Sequence, residues 1–226
     1  MSLLDRPVWA SLTTHHAVLA EGGPLAKRFA RGINVFASAR DDSADALAAL
    51  AALVAPGDWV VILQASEIVI PPELHVTKAA TGVQMVATGR IQTDAVNDDI
   101  QVLGDADAAE MLALAKLTEP GPFEERTHTM GRFLGIRIDG RLAAMAGERM
   151  RMPGYTEVSG VCTHPDFRGR GLAARLSAAV AATIAARGDQ PFLHAWKDNL
   201  PAISLYEKLG FRIRTEVSFA VLSRRG

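Results

Sequence analysis

The stretch Val161-Cys162-Thr163-His164-Pro165-Asp166-Phe167-Arg168-Gly169-Arg170-Gly171-Leu172-Ala173 constrains this chain more than any other. It predicts a strand, a tight turn rich in glycine and arginine, and a helix. Leu172, Leu176, Ala179, Val180, Thr183 and Ile184 recur at helical spacing, and Arg187-Gly188 is a stop signal. Tyr155 to Thr163 alternates and becomes β-branched near its end, as a strand does. The first turn of such a helix exposes N–H groups with no internal partner, and the helix dipole adds positive potential. Gly169 and Gly171 let the backbone approach a ligand, and Arg168 and Arg170 add fixed positive charge. Together they predict a cradle for a diphosphate.

The remaining chain supplies a frame. Residues 1 to about 20 predict a helix with Trp9, Leu12, His16 and Leu19 on one face. His15 and His16 are adjacent, so on a helix they diverge and cannot chelate one metal together. Ile33 to Ala37 predicts a short strand. Asp42-Ser43 caps a helix through Ala46, Leu47, Leu50 and Val54, which Pro56-Gly57 ends. Trp59 to Leu63 reads as a buried strand and Val83 to Thr88 as another. Lys27, Arg28 and Arg31 read as a solvated helix face.

Gly89 to Asp99 is polar and weakly patterned, as a connection to a second unit would be. Ile100 to Leu103 predicts a strand. A helix containing Met111, Leu112 and Ala115 follows, capped by Asp105 or Asp107. The prolines of Thr118 to Phe123 exclude a continuous helix there. Phe133 to Ile138 and Leu142 to Met150 are antiparallel strands joined by Asp139-Gly140, a two-residue turn of the I′ kind. The motif strand and helix come next. Pro191 to Trp196 is then a strand, Asn199 caps a helix ended by Gly210, and Arg212 to Leu222 is a long final strand.

Composition excludes several classes. The chain has 226 residues, 49% apolar and 22% charged, with a net charge of −1. This suits a soluble globular protein of one large domain or two small ones. No long basic run suggests nucleic acid, and no apolar stretch is long enough to span a bilayer. The single cysteine, Cys162, forbids an intramolecular disulfide framework, and a reducing, cytoplasmic location is expected. On a buried strand it reads as a small core residue rather than a nucleophile.

Two spellings, in this order of elements, carry a family resemblance. One is Arg168-Gly169-Arg170-Gly171-Leu172-Ala173. The other is Asn199 followed by Ala202-Ile203-Ser204-Leu205-Tyr206-Glu207-Lys208-Leu209-Gly210-Phe211. Together they resemble the GNAT superfamily of acyl-CoA-dependent N-acyltransferases, through its CoA-pyrophosphate signature and its late tyrosine-bearing helix. The resemblance covers residues 98–226. It implies a mixed, mostly antiparallel central sheet, splayed between the domain's fourth and fifth strands and flanked by helices. Residues 1–95 then form a smaller N-terminal α/β region, either a degenerate copy of the fold or a cap. Glycine N-acyltransferase-like members of the family also carry an additional N-terminal half.

The resemblance implies acetyl-CoA, or another acyl-CoA, as co-substrate, with no metal. Its pantetheine arm would lie along Tyr155–Thr163, pairing with backbone near Val161, Cys162 and Thr163. Its diphosphate would sit on the N–H groups of Arg168, Gly169, Arg170, Gly171, Leu172 and Ala173, and Asn199 would hydrogen-bond it from the late helix. Tyr206 occupies the family's acid position, beside the cofactor and the leaving thiolate. An attacking alkyl amine, with a pKa of roughly 10.4, must lose a proton first. Glu157, on the motif strand, is the expected base and Glu119 the reserve. The bland alternative for Glu157 is a solvent-facing residue or a partner of Arg149 or Arg151 across the hairpin.

Glu119 and Phe123, in the irregular segment, and His194 are the expected acceptor-site residues. His164 reads as ending the strand, and Trp196 and Phe211 read as core. The expected activity is transfer of a short acyl group to a primary amine of a small molecule, by a monomer or homodimer. The alternatives are a non-catalytic acyl-CoA-binding module and an acetyltransferase of protein N-termini or lysines.

Overall fold

The structure is a computed structural model that describes residues 2–89, 91 and 99–224. The predicted connection Gly89–Asp99 lies largely outside these residues.

Helix α1 (Pro7–Thr13) opens the chain with proline in its first turn, where no N–H is missed. The expected helix to residue 20 stops early. The Thr13 and Thr14 hydroxyls bond back to the Trp9 and Ala10 carbonyls at 2.8 and 2.5 Å, drawing carbonyls away from the helix ladder. Three short strands follow, β1 (Ala20–Gly22), β2 (Ala26–Phe29) and β3 (Ala37–Ala39), forming their own sheet. The strand expected over Ile33–Ala37 is displaced to β3, because the Asn34 side chain accepts the Val35 and Phe36 N–H groups and makes a turn. Arg28 and Arg31 lie on and beside β2, not on a helix face. Both bind Asp58, at 2.7 and 2.6 Å.

Ser43 accepts the Ala46 N–H and starts α2 (Ala44–Ala52). Then come β4 (Trp59–Gln64), β5 (Leu74–Ala87), β6 (Ile100–Leu103), α3 (Ala108–Thr118), β7 (Phe133–Ile138), β8 (Arg141–Met152) and β9 (Tyr155–Thr163). The chain ends with α4 (Leu172–Ala186), β10 (Gln190–Trp196), α5 (Leu200–Lys208) and β11 (Phe211–Arg224). Strand β5 starts nine residues earlier than its apolar run predicts (Leu74 against Val83). Its polar first half is held by pairing with β11.

Strands β4 to β11 form an eight-stranded sheet in the order β4-β11-β5-β10-β9-β8-β7-β6. Hydrogen bonding therefore continues across residue 95: β5 lies between β10 and β11, and β4 pairs with β11. Neighbours are antiparallel except β9 and β10. Alternation along each strand feeds two cores. Leu193, Leu134 and Ile136 face α4 with Leu176, Val180 and Ile184. Phe192, Met150 and Met152 face the N-terminal segment with Leu4, Val8, Leu12, Phe29 and Phe36. Helix α3 covers the same side farther along, over Phe133, Leu142 and Met145.

The parallel pair is short. It joins Gln190 to Tyr155, Pro191 to Thr156 and Phe192 to Glu157, and then β9 and β10 separate. The expected splay between the domain's fourth and fifth strands is present. A β-bulge accompanies it: Gly160 takes φ +62°, and the β8–β9 register shifts at this place. A glycine inside a strand is the sequence signal for such a bulge.

Candidate active site

A cavity of about 270 Å³ fills the gap between the parted strands. Val161 lines it from β9, His194 and Trp196 from β10, and Asn199 and Tyr206 from α5. Phe36 and Leu63 close it from the N-terminal half, and Thr118 to Pro122 from the segment after α3. It adjoins an outer cavity of about 950 Å³, with Glu119, Pro122, Trp196 and Phe219 common to both. Phe123, Lys78, Lys116 and Lys197 belong to the outer one.

The turn expected to hold a diphosphate is built locally. His164 Nδ1 accepts the Asp166 N–H and ends β9, in a structural role that agrees with the sequence reading. Buried Phe167 anchors the turn, with the Arg170 and Arg141 guanidinium groups 5.4 and 5.2 Å from its ring centre. Gly169 and Gly171 have φ of +77° and +71°, values that favour glycine. A Cβ at either would meet no atom within 4 Å, so the turn is open to solvent at the start of α4. That openness and the two arginines fit a diphosphate. Residues 168–173 line neither cavity.

Asn199 accepts the Ala202 N–H and caps α5 while its side of the helix borders the inner cavity. Tyr206, about two turns farther along, borders the same cavity. Burial pushes its phenol up to about 12, so it carries its proton at neutral pH. Cys162 is buried in the α3 core and lines neither cavity, and burial pushes its thiol up to about 11.

Glu157 does not face solvent. It is fully buried, and the side chains around it take up its oxygens. Arg149 donates from Nε to Oε2 at 2.8 Å and from Nη2 to Oε1 at 2.6 Å. The Met150 N–H reaches Oε2 at 3.2 Å, and His194 Nδ1 reaches Oε1 at 2.7 Å. Burial pushes the carboxyl up, but the Arg149 charge and these hydrogen bonds outweigh it and hold it down to about 2. Four bonds occupy the acceptor positions of a carboxylate.

Glu119 is different. It ends α3 in a left-handed conformation, φ +48°, which turns it out of the helix. It borders both cavities, and no hydrogen bond or ion pair engages its carboxylate among the described residues. Phe123 packs edge-on against Phe133 at 5.7 Å and lines the outer cavity. Trp196, expected in the core, is 37% exposed and borders both cavities, because the splay leaves the end of β10 uncovered. Phe211 is fully buried.

Other polar residues at this place escaped the sequence reading. Arg149 was named only as a possible partner of Glu157, and it lines the inner cavity itself. Gln84, on β5, touches His194; its only signal was a polar residue inside an apolar run. Among the described residues no group of three or more His, Cys, Asp or Glu could hold a metal. His16 is tied to Ser11 and the Met130 carbonyl. No helix among them is long and apolar enough to cross a membrane.

Comparison with known proteins bears on this geometry. Residues 133–220 match the family model described as FR47-like protein. A candidate acetyltransferase from the GNAT family of Novosphingobium aromaticivorans is 43% identical, with all of both chains covered and a TM-score of 0.94. Two more distant structures share the fold. A GCN5-related N-acetyltransferase from Kribbella flavida is 19% identical, covering 100% of this chain and 97% of its own, with a TM-score of 0.67. A GCN5-related N-acetyltransferase-like protein from Streptococcus suis is 16% identical, covering 99% and 96%, with a TM-score of 0.62. No curated protein matches the chain at a significant level.

Proposed function

Given that the chain belongs to the GNAT family of acyl-CoA-dependent N-acetyltransferases, we propose that it acetylates a primary amine of a small molecule in the cleft between β9 and β10. One observation carries this reading: the parallel pairing ends at Phe192 and Glu157, and the space beyond it is a walled cavity. Phe36 and Leu63 close that cavity from one side and residues 118–122 from another. A cleft walled on these sides suits a small acceptor better than a protein surface.

The chemistry is attack of a neutral amine on the thioester carbon, forming C–N and releasing the thiolate of CoA. The open turn at 168–173 would hold the diphosphate through backbone N–H groups and the charges of Arg168 and Arg170. The unpaired edge of β9 at Val161 and Thr163 offers backbone groups to the pantetheine amides, and Asn199 adds a contact from α5. Tyr206, neutral at working pH, gives its proton to the leaving sulfur.

A carboxylate that accepts the proton of the amine needs a free lone pair. Glu157 has none to offer and is a weak base, so its part is to hold Arg149 and His194 in the cleft wall. Glu119 has both oxygens free at the junction of the two cavities, and it attracts the ammonium form and receives the proton through water.

The test is turnover of acetyl-CoA with a panel of small primary amines and with N-terminal peptides, by the native enzyme and by Glu119→Gln. Small amines are expected to be acetylated, with kcat/KM at least tenfold lower in the variant and CoA affinity unchanged. Acetylation of peptides alone would overturn the small-molecule reading. An undiminished kcat/KM in Glu119→Gln would remove Glu119 as the proton acceptor.

A further inference from the structure

His194 has a second partner besides Glu157. Its Nε2 lies 3.0 Å from the side-chain nitrogen of Gln84, its register partner on β5. Both are buried: Gln84 is 0% exposed, and the His194 side chain is 9% exposed. An amide can be turned over, so which atom faces the imidazole must be decided chemically. Here two neighbours decide it. Arg214 Nη1, which can only donate, bonds Gln84 Oε1 at 2.9 Å. The Leu4 carbonyl, which can only accept, bonds Gln84 Nε2 at 2.9 Å. The remaining N–H of Gln84 therefore points at His194 Nε2 and needs a lone pair there.

We infer that Gln84 is a positioning residue that fixes His194 as a neutral imidazole with its single proton on Nδ1. Glu157 takes that proton in a hydrogen bond, and Gln84 fills the lone pair of Nε2. A second proton on His194 would set N–H against N–H at 3.0 Å. The charged groups around the pair are Glu157 and Arg149 on one side and Arg214, bound to Asp5, on the other. With His194 neutral, the charge of Arg149 is balanced by Glu157, and the ion pair Arg214–Asp5 balances itself. The groups in contact with His194 and Gln84 then carry no net charge, and the free carboxylate of Glu119 is the uncompensated charge of the inner cavity. An imidazolium would cancel the charge of Glu119 and weaken the attraction of the cleft for a cationic amine. Strand β5 and the N-terminal turn thus set the protonation of a side chain on β10, in a site that Phe36 and Leu63 also wall from the N-terminal half.

The proton position is read in the resting enzyme by NMR of ¹⁵N-histidine-labelled protein at pH 7, with His194 assigned from its loss in His194→Asn. The expected spectrum has a proton on Nδ1 and an unprotonated, hydrogen-bonded Nε2. A proton on Nε2, or on both nitrogens, would overturn the assignment. Gln84→Glu exchanges the donor for an acceptor. It is expected to draw a proton onto Nε2, with kcat/KM for a cationic amine at least tenfold lower. A Gln84→Glu enzyme with His194 still singly protonated on Nδ1 would also sink it. Should that variant not fold, Gln84→Met decides: the Nε2 resonance must move on losing its donor, and an unmoved resonance refutes the contact. None of these spectra depends on which group accepts the proton of the amine.

Discussion

Glu157 on β9 and His194 on β10 are joined by a 2.7 Å hydrogen bond across the point where the two strands part. The bond extends the tie between the strands past Phe192 and Glu157, the last pair of their short parallel ladder. The same carboxylate holds Arg149 from the other neighbour, β8. One buried side chain thus fixes three strands at the head of the cleft.

That arrangement makes Glu157 structural in its energetics. Replacing it by alanine leaves a buried, unpaired guanidinium and is expected to cost about 3–5 kcal/mol. The double variant Arg149→Met, Glu157→Leu removes both charges and should be less destabilised than either single variant. Urea unfolding of the four proteins measures this. A single variant within about 0.5 kcal/mol of the native protein would refute the buried pair as a stability determinant.

The same pair predicts an acid response. The Glu157 carboxyl is held down to about 2 from an ordinary value of 4.5, so the folded state binds its proton more weakly than the unfolded state does. The stability this supplies is complete above the ordinary value and is lost as the pH falls from there towards 2. Glu157→Gln should therefore show a shallower loss of stability over that range. Equal slopes for variant and native protein would contradict the assignment.

Tyr206→Phe removes the phenol and keeps the ring. With a thiol leaving group of pKa about 8.5, protonation assists without being obligatory, so kcat should fall by roughly tenfold to a hundredfold. CoA affinity should stay within about twofold, since the ring still packs beside Phe211. The phenol is pushed up to about 12, so the native enzyme should lose no activity to its ionisation below pH 10. An unaltered rate in the variant would remove Tyr206 as the acid.

Gly171 separates backbone strain from charge. Its φ is +71°, and a Cβ there meets no atom within 4 Å. Gly171→Ala should cost about 1–2 kcal/mol through the left-handed conformation, with little loss of CoA binding. Gly171→Glu adds a negative charge inside the cradle and should abolish CoA binding, read by calorimetry. Normal CoA affinity in that variant would sink the diphosphate assignment.

Glu119 offers the reverse separation. It sits at φ +48° on the end of α3, where glycine is preferred. Glu119→Gly should raise stability by roughly 0.5–1 kcal/mol while lowering turnover, because strain and carboxylate are removed together. A thermal melt and a rate assay on the same protein check both signs. A gain in stability with full activity would leave the carboxylate without a role.

Much of the frame was legible because it rests on neighbours in sequence. Asp139-Gly140 predicts a tight hairpin, and both residues take positive φ, +50° and +77°. Gly169 and Gly171 predict an open turn ahead of a helix, which is where α4 begins. Ser43 and Asn199 predict helix starts and accept the N–H groups of Ala46 and Ala202. Misreadings arose where one local pattern was extended too far. The amphipathic spacing of residues 1 to 20 hid two threonines that cap carbonyls, and the polar half of β5 has no alternation to betray a strand.

The sequence by itself determined the family, the order of elements from residue 100 and the open glycine turn ahead of α4, since each depends on short-range backbone chemistry. Only the tertiary structure decided what the cleft is made of. It brought β5 between β10 and β11, set Gln84 opposite His194, and saturated Glu157 with Arg149. The physical reason is register. Side chains alternate with a period of two, so which residues meet across a sheet follows from how whole strands pair over long separations. No local spacing specifies that Gln84 and His194, 110 residues apart, share a hydrogen bond.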